Sequence, residues 1–247
     1  MRIVRRLYSA WSRHSLGTLC QLIVKNIFHY LKELLSGRLF LKSADQRSAF
    51  DIAYGTDTEN IREIGSLDID SKNARYAVRY QPSPQAFATE IIHALSINYS
   101  QFIFLDFGAG KGRVLLIAAE LPFAAVIGIE FSQELCAVAT DNISKIAPDK
   151  RIAGRVECHY DDVTLYPLPE TPLVCYLYNP FDELVMRAVV DRLESSLKDK
   201  PREIYIIYVH PEHRALFDTK AYWDVMDESK FHVIYRARLD KLLQPMP

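Results

Sequence analysis

The sequence predicts an α/β fold, a doubly wound and mostly parallel sheet of seven strands that ends in an antiparallel hairpin. Two observations support this prediction. From residue 102 onward, short apolar runs alternate with segments of helical periodicity. Four successive apolar runs are also followed at once by glycine, acidic or amide residues. Apolar strands separated by helices are typical of a parallel sheet covered on both faces, with its ligand site at the carboxyl ends of the strands.

The predicted elements follow in chain order. They are a helical stretch over 1–40, an irregular polar stretch over 41–83, a helix from Gln85 to about Leu95, a strand FIFLDF (102–107), a helix RVLLIAAEL, a strand AAVIGIE (124–130), a helix SQELCAVATDNISKI with Ser132 as N-cap, strands GRVECHY (154–160) and PLVCYLY (172–178), a helix over 183–198, a strand EIYIIYV (203–209), and a hairpin from YWDVMDES and FHVIYRARL. We therefore divide the chain into a basic amphipathic helical extension (1–40), a cap or substrate segment (41–83) and the α/β domain (84–247).

Charge and composition exclude several classes of protein. The 247 residues are 49% hydrophobic and 25% charged with a net charge of −1, which is ordinary for a globular protein and gives no reason to expect nucleic acid as a partner. Residues 1–40 carry a net charge of +6, and polar residues interrupt their apolar stretches, so they predict no transmembrane span. We expect them to pack on the domain or a partner, with peripheral binding to an anionic membrane as the alternative. Scattered cysteines without a CxxC pair predict reduced thiols in the cytoplasm.

The first strand is followed by the glycine-rich stretch Asp106-Phe107-Gly108-Ala109-Gly110-Lys111-Gly112-Arg113. Glycines permit a tight turn and a close approach of the backbone to a ligand. A dinucleotide fingerprint would need glycine where Arg113 stands, and a P-loop is broken by Leu105 and Gly112. For Lys111 and Arg113, facing a phosphate and facing solvent were equally good interpretations.

Polar residues also follow the next three strands. Glu130 could accept hydrogen bonds from ribose hydroxyls, and Asp161 or Asp162 could accept one from an adenine amino group. Asn179-Pro180-Phe181-Asp182 follows the fourth strand. This order predicts a ligand that contains adenosine.

The motifs LDFGAGKGR, VIGIEFS, HYDDV and LYNPF, spread over about residues 80–210, resemble those of the class I S-adenosylmethionine-dependent methyltransferases. The resemblance implies S-adenosylmethionine as cofactor and no metal. It implies contacts to the methionine part from the first motif, to the ribose from Glu130, and to adenine from Asp161 and the backbone of Asp162. The implied first-motif contacts come from Asp106, Gly108, Ala109, Gly110 and Gly112.

Asn179 and Pro180 match the start of the Asn-Pro-Pro-aromatic motif of enzymes that methylate nitrogen. The resemblance implies that Asn179 lies beside the cofactor and orients the acceptor amine, and that Asn179, Pro180 and Phe181 form the catalytic set. A single proline brings Phe181 one position early, where its ring could still offer a cation–π face. The acceptor is expected to be a protein amine such as lysine, ahead of a small molecule. An inactive binding or scaffold module is the alternative, and a nicotinamide-dependent oxidoreductase is disfavoured.

Two upstream motifs are less specific. YQPS is similar to a segment of some protein-lysine methyltransferases, which implies a cofactor contact from Tyr80. YGTDT, from Tyr54 to Thr58, resembles bacterial methyltransferase-like proteins of unassigned substrate. For both tyrosines, packing of the cap on the sheet was an equally good interpretation. Asp57 and Asp182 were weak candidates for acceptor contacts, and His210 was expected to form a turn rather than to act in catalysis.

Overall fold

The computed structural model describes residues 48–59 and 82–242, with the backbone alone for residues 241 and 242. The predicted helix of 1–40, Tyr80 and most of the 41–83 segment lie outside these ranges. The boundaries of the three predicted segments therefore stay predictions.

Seven strands form one mixed sheet within the described ranges, and they lie close to the predicted positions. Their bounds are β1 Ile103–Phe107, β2 Ala125–Glu130, β3 Val156–Tyr160, β4 Leu173–Tyr178, β5 Ile204–Val209, β6 Trp223–Glu228 and β7 His232–Ala237. The spatial order is β3-β2-β1-β4-β5-β7-β6. β1 to β5 pair in parallel, and β7 pairs antiparallel with both β5 and β6. The predicted fold class is confirmed.

The helices of the described ranges are α1 Ala49–Tyr54, α2 Gln85–His93, α3 Arg113–Ala119, α4 Gln133–Ser144, α5 Glu183–Asp199, α6 Ala215–Asp218 and α7 Leu239–Leu242. Ser132 caps α4 as predicted, because its side chain accepts a hydrogen bond from the backbone N–H of Leu135. The prediction of an irregular stretch over 41–83 was wrong for α1. Ser48 caps that short helix, and Gly55 ends it in the left-handed conformation.

Two apolar cores cover the two faces of the sheet, since successive side chains of a strand point to opposite faces. On one face, Phe104 and Tyr176 pack with residues of α1 to α4. On the other face, Leu105 and Leu177 pack with residues of α5 and α6. Both faces of the central strands are therefore buried, as a doubly wound sheet requires. Across the described ranges, no helix has the length and apolar character needed to cross a membrane.

Candidate functional site

The register of the sheet brings the predicted site residues to one edge. Phe107 at the end of β1 pairs with Ile129 of β2 and Leu177 of β4. Tyr178, the last residue of β4, pairs with Val209, the last residue of β5. The segments that follow β1, β2, β4 and β5 are therefore neighbours at the carboxyl edge, where open α/β sheets bind ligands.

The glycine-rich loop after β1 has a conformation that favours glycine. Gly108, Gly110 and Gly112 have φ angles of 84°, 55° and 81°. A Cβ on Gly108 would lie 2.8 Å from Cβ of Pro180, closer than two such atoms can approach. The loop after β1 thus touches the loop after β4, and glycine at position 108 allows that contact.

Two buried carboxyl groups lie beside this loop, Asp106 at the end of β1 and Glu130 at the end of β2. The backbone N–H groups of Gly110 and Ser132 each donate to a Glu130 oxygen at 2.8 Å. Burial raises the pKa of Glu130 to about 7, although these hydrogen bonds lower it.

Burial, and secondarily the nearby Glu130 charge, raises the pKa of Asp106 to about 8. Asp106 is only 4% exposed, so its carboxyl is largely withdrawn from water. Burial of an ionised carboxylate carries a desolvation cost. A positively charged ligand group would relieve that cost at Asp106 and would stabilise both carboxylates.

An open pocket lies between the ends of β2 and β3 and the start of α5, next to Glu130 in the chain. Its walls are Ile129, Phe131, Asp161, Asp162, Val163, Phe181 and Val185. The Asp162 N–H donates to Asp161 Oδ1 at 2.7 Å, and the Asp162 carboxylate accepts from Thr164. The sheet thus brings the two predicted adenine-binding acids together in one mostly apolar pocket.

The Asn-Pro-Phe segment lies between this pocket and the glycine loop. Asn179 is a non-glycine residue with a φ of 39°, and its Oδ1 accepts a hydrogen bond of 3.4 Å from the Tyr208 hydroxyl. The Phe181 side chain is only 5% exposed and forms part of the pocket wall. Its proposed packing on an acceptor amine stays a prediction. Asp182 caps α5 by accepting from the N–H groups of Leu184 and Val185, and this local role accounts for its carboxylate.

Aromatic side chains continue the edge beyond Asn179. His210, also a non-glycine residue with positive φ (48°), follows β5. Its ring centroid lies 5.3 Å from that of Tyr178 and 6.0 Å from that of Phe231, and the Phe231 side chain is 51% exposed. This edge gives an exposed aromatic surface beside the Asn179 amide.

Both interpretations of Lys111 and Arg113 were wrong, because the two side chains are buried and face protein acids. Lys111 is 1% exposed, and its Nζ lies 2.9 Å from Asp57 Oδ1. Arg113 forms an ion pair with Glu59, and its Nε donates to Thr58 Oγ1 at 2.8 Å. The sequence marks these residues only as basic positions next to glycines, because their partners lie more than fifty residues away.

The YGTDT motif has a structural basis in Asp51, which the sequence analysis missed. The buried Asp51 carboxylate accepts hydrogen bonds of 2.7 to 3.0 Å from Thr56, Thr58 and Glu59. Burial alone would raise the pKa of Asp51, but the Thr58 and Thr56 hydrogen bonds and the Arg113 charge hold it below its ordinary value. The local signal for this arrangement is an acid, Asp51, followed after five and seven residues by the threonines that donate to it.

Tyr54 packs on the domain, as one of its two interpretations expected. Its hydroxyl donates to Glu120 Oε1 at 2.5 Å, and Lys150 Nζ lies 4.0 Å from its ring centroid. In the YQPS motif, the Ser83 hydroxyl accepts a 3.0 Å hydrogen bond from Tyr176 of β4. Both upstream motifs therefore contact the α/β domain within the described ranges.

Comparison with solved structures finds distant similarities among methyltransferases. An RNA methyltransferase from Salinibacter ruber, in complex with S-adenosyl-L-homocysteine, is 18% identical over 63% of this chain and 92% of its own, with a TM-score of 0.41. A ribosomal protein L11 methylase from Lactobacillus delbrueckii subsp. bulgaricus is 12% identical over 62% and 76%, with a TM-score of 0.43. Magnesium protoporphyrin IX methyltransferase from Synechocystis PCC 6803, with bound S-adenosylmethionine, is 13% identical over 62% and 78%, with a TM-score of 0.44.

No protein-family model matches the chain, and the comparison with curated proteins finds no match. The strand order β3-β2-β1-β4-β5-β7-β6 shows an α/β Rossmann-like fold with an antiparallel terminal hairpin.

Proposed function

We propose that this protein is an S-adenosylmethionine-dependent methyltransferase that acts on nitrogen. The observation that carries the proposal is the left-handed glycine loop flanked by two buried carboxyl groups, Asp106 and Glu130. Fold similarity by itself would leave function open, because one fold serves many chemistries. The site at the carboxyl edge supports this function on its own residues.

The residues present fit the chemical groups of the cofactor. S-adenosylmethionine carries an ammonium and a sulfonium cation, and Asp106 and Glu130 offer buried carboxylates beside a loop with no side chains at 108, 110 and 112. Glu130 would hold the ribose hydroxyls, and the pocket with Asp161 and Asp162 would take the adenine ring. A concave, mostly apolar pocket with few polar groups is typical of small-molecule sites.

The bound cofactor would supply a methyl group already activated by its bond to a positively charged sulfur. The tasks left to the chain are alignment of the acceptor, exclusion of water and management of one proton. Asn179 Oδ1, which accepts a 3.4 Å hydrogen bond from the Tyr208 hydroxyl, would accept a second one from an acceptor N–H, and Pro180 packs on Gly108. An acceptor that is already neutral needs no dedicated base. A lysine has an ordinary pKa near 10.4, so its ammonium would need desolvation or a solvent relay to lose its proton.

The edge beyond Asn179 supports a protein amine ahead of a small molecule as the acceptor. The exposed rings of His210 and Phe231 and the half-buried ring of Tyr178 lie together there, and an aromatic face attracts a cationic side chain. Such a surface is open to an amine carried on a larger molecule. A deep enclosed pocket, by contrast, is what small molecules usually occupy.

A binding module without catalysis is the second candidate, and the burial of Phe181 favours it. The ring is 5% exposed, so it offers no open face to an acceptor in this conformation. Such a module would bind the cofactor and transfer no methyl group to any acceptor.

Calorimetric titration with S-adenosylmethionine and S-adenosylhomocysteine tests the proposal, with NAD as the ligand control and Asp106→Ala as the site variant. We expect saturable binding of both ligands, weakened in the variant, and no binding of NAD. Transfer of radiolabelled methyl to a component of cell lysate would then separate the enzyme from the binding module. Folded protein that binds neither ligand would overturn the enzyme and favour a scaffold module that has lost the cofactor.

A further inference from the structure

The segment Ser48–Glu59, hereafter the strap, is fastened to the residues of the glycine loop by hydrogen bonds and ion pairs. The Arg113 guanidinium is its main anchor: it bonds Thr58 and Glu59, and it stacks on the Phe50 ring with 5.0 Å to the centroid. Arg113 is only 7% exposed, whereas its partner Glu59 is 46% exposed, so the guanidinium is buried and the carboxylate lies at the surface. Charge-assisted hydrogen bonds are stronger and more directional than neutral ones.

A second set of contacts involves Lys111, which lies between Gly110 and Gly112 in the sequence. Lys111 is buried within the loop, and its ammonium meets the half-exposed Asp57 carboxylate at 2.9 Å. Asn142 of α4 joins the same two residues through their backbones. Its Nδ2 donates to Lys111 O at 2.9 Å and to Asp57 O at 3.1 Å, and its Oδ1 accepts from Asp57 N at 3.0 Å.

These contacts converge on the part of the loop whose three glycines are left-handed. Three glycines in left-handed conformation permit many backbone states when nothing holds them, so a single binding conformation has an entropic cost. The ion pairs hold the Lys111 and Arg113 side chains, and the Asn142 hydrogen bond holds the Lys111 backbone, so the loop is restrained in both. A ligand that meets an already ordered loop loses less free energy on binding.

We infer that the strap holds the glycine loop in its cofactor-binding conformation, with Asp57, Asn142 and Arg113 as positioning residues. The inference rests on the proposed function, since the loop is assigned there to the methionine part of S-adenosylmethionine. None of these three side chains needs to touch the cofactor. The YGTDT motif is thereby part of the cofactor-binding machinery although it lies about fifty residues before the loop.

The test is Asp57→Asn, which keeps the Asp57 backbone bonds to Asn142 and removes the counter-ion of a buried ammonium. Dissociation constants are measured for S-adenosylmethionine and S-adenosylhomocysteine, which carry the amino-acid part, and for 5′-methylthioadenosine, which lacks it. The matched control is Glu203→Gln, which removes the exposed 2.7 Å pair with Arg236 at the opposite edge of the sheet. Thermal melts of each variant report its folding.

We expect Asp57→Asn to weaken both amino-acid-bearing ligands by about fivefold or more, in the range of couplings between neighbouring sites. Binding of 5′-methylthioadenosine should stay as in the unaltered protein, and Glu203→Gln should change none of the three. In a Lys111→Met background, Asp57→Asn should have no further effect, because the buried charge is gone.

The outcomes separate this inference from the proposed function. Unaltered protein that binds none of the three probes overturns the proposed function itself. Unaltered protein that binds them while Asp57→Asn changes no affinity overturns the positioning role. Equal weakening of all three probes overturns it as well, since general destabilisation would not discriminate the amino-acid part.

Discussion

The carboxyl edge of the sheet has two halves, which differ in the residue types that adopt left-handed backbone and in the burial of the side chains beside them. In the half formed by β1, β2 and β3, the left-handed positions are glycines and the carboxyl groups of Asp106 and Glu130 are buried. In the half formed by β4, β5 and β7, the left-handed positions are Asn179 and His210, and the nearby Phe231 ring is half exposed.

The difference indicates two kinds of recognition. Glycine at a left-handed position costs little, and buried charges demand one fixed partner, so the first half suits a constant ligand such as a cofactor. A non-glycine residue in that conformation stores about 1–3 kcal/mol, and such strain is found mainly at functional sites. Exposed rings can also be replaced by other side chains at little cost in stability, which suits an acceptor that differs from one enzyme to another.

The largest effect is expected where the halves meet, at Gly108. Gly108→Ala would place a Cβ 2.8 Å from that of Pro180 at a φ of 84°. We expect a loss of about 1–3 kcal/mol in the free energy of unfolding. Cofactor affinity should fall about ten- to hundredfold if the loop relieves the strain by leaving its binding shape. Denaturant unfolding and calorimetry measure the two effects.

Gly55→Ala is the matched control for that variant. It has a similar φ of 68°, and a Cβ there meets nothing within 4 Å. Backbone strain should lower its stability, and because Gly55 lies at the end of α1, away from the glycine loop itself, cofactor affinity should fall much less than in Gly108→Ala. An equal loss of binding in both variants would contradict the contact between the two halves.

Asn179→Gly should separate chemistry from binding in the second half. Glycine accepts a φ of 39° without strain, so the change removes the amide alone. We expect methyl transfer to fall by about 100-fold, as for a misplaced reactant, while S-adenosylmethionine still binds. His210→Gly makes the same exchange at the neighbouring left-handed position and should lower transfer much less, through a higher KM for the acceptor. The reverse ranking in a radiolabel assay would move the acceptor contact to His210.

The buried carboxyl groups of the first half predict how stability depends on pH. Their pKa values are raised to about 8 for Asp106 and about 7 for Glu130, so the folded protein holds protons that the unfolded chain releases at lower pH. The free energy of unfolding should therefore fall as pH rises from about 4 to about 8.

Melting temperatures at pH 6 and pH 8, measured without ligand, test this dependence. Asp106→Asn should flatten the decline, and the surface variant Glu203→Gln should not. A cationic cofactor favours the ionised carboxylates, so binding at pH 7 should release protons, which calorimetry in buffers of different ionisation enthalpy detects. Stability that rises between pH 6 and 8 would contradict the buried, protonated state of these groups.

The smallest effect is expected from Phe231→Ala on the acceptor side. The ring is 51% exposed, so the free energy of unfolding should change by less than about 0.5 kcal/mol. Cofactor affinity should stay the same, and the KM for the acceptor should rise. Met226→Ala, an equally exposed change on β6, is the control. A loss of cofactor affinity in Phe231→Ala would contradict the assignment of cofactor binding to the first half and acceptor binding to the second.

Local patterns in the sequence determined most of the fold and the first half of the site. Apolar period and turn residues predict the strands and the main helices, because backbone conformation and burial period are local properties. The Ser132 cap and the glycine loop follow from the same local rules. The acids and glycines that follow the strands then lie close together, because the carboxyl ends of parallel strands meet at one edge of the sheet.

Only the tertiary structure decided which charged residues are buried in ion pairs, because their partners lie far along the chain. Lys111 and Arg113 were expected to face a phosphate or solvent, but in the structure they pair with Asp57 and Glu59. The physical reason is that a buried charge is stable only with its partner in place. A sequence shows residue types, but which distant residues become neighbours depends on how the whole chain packs.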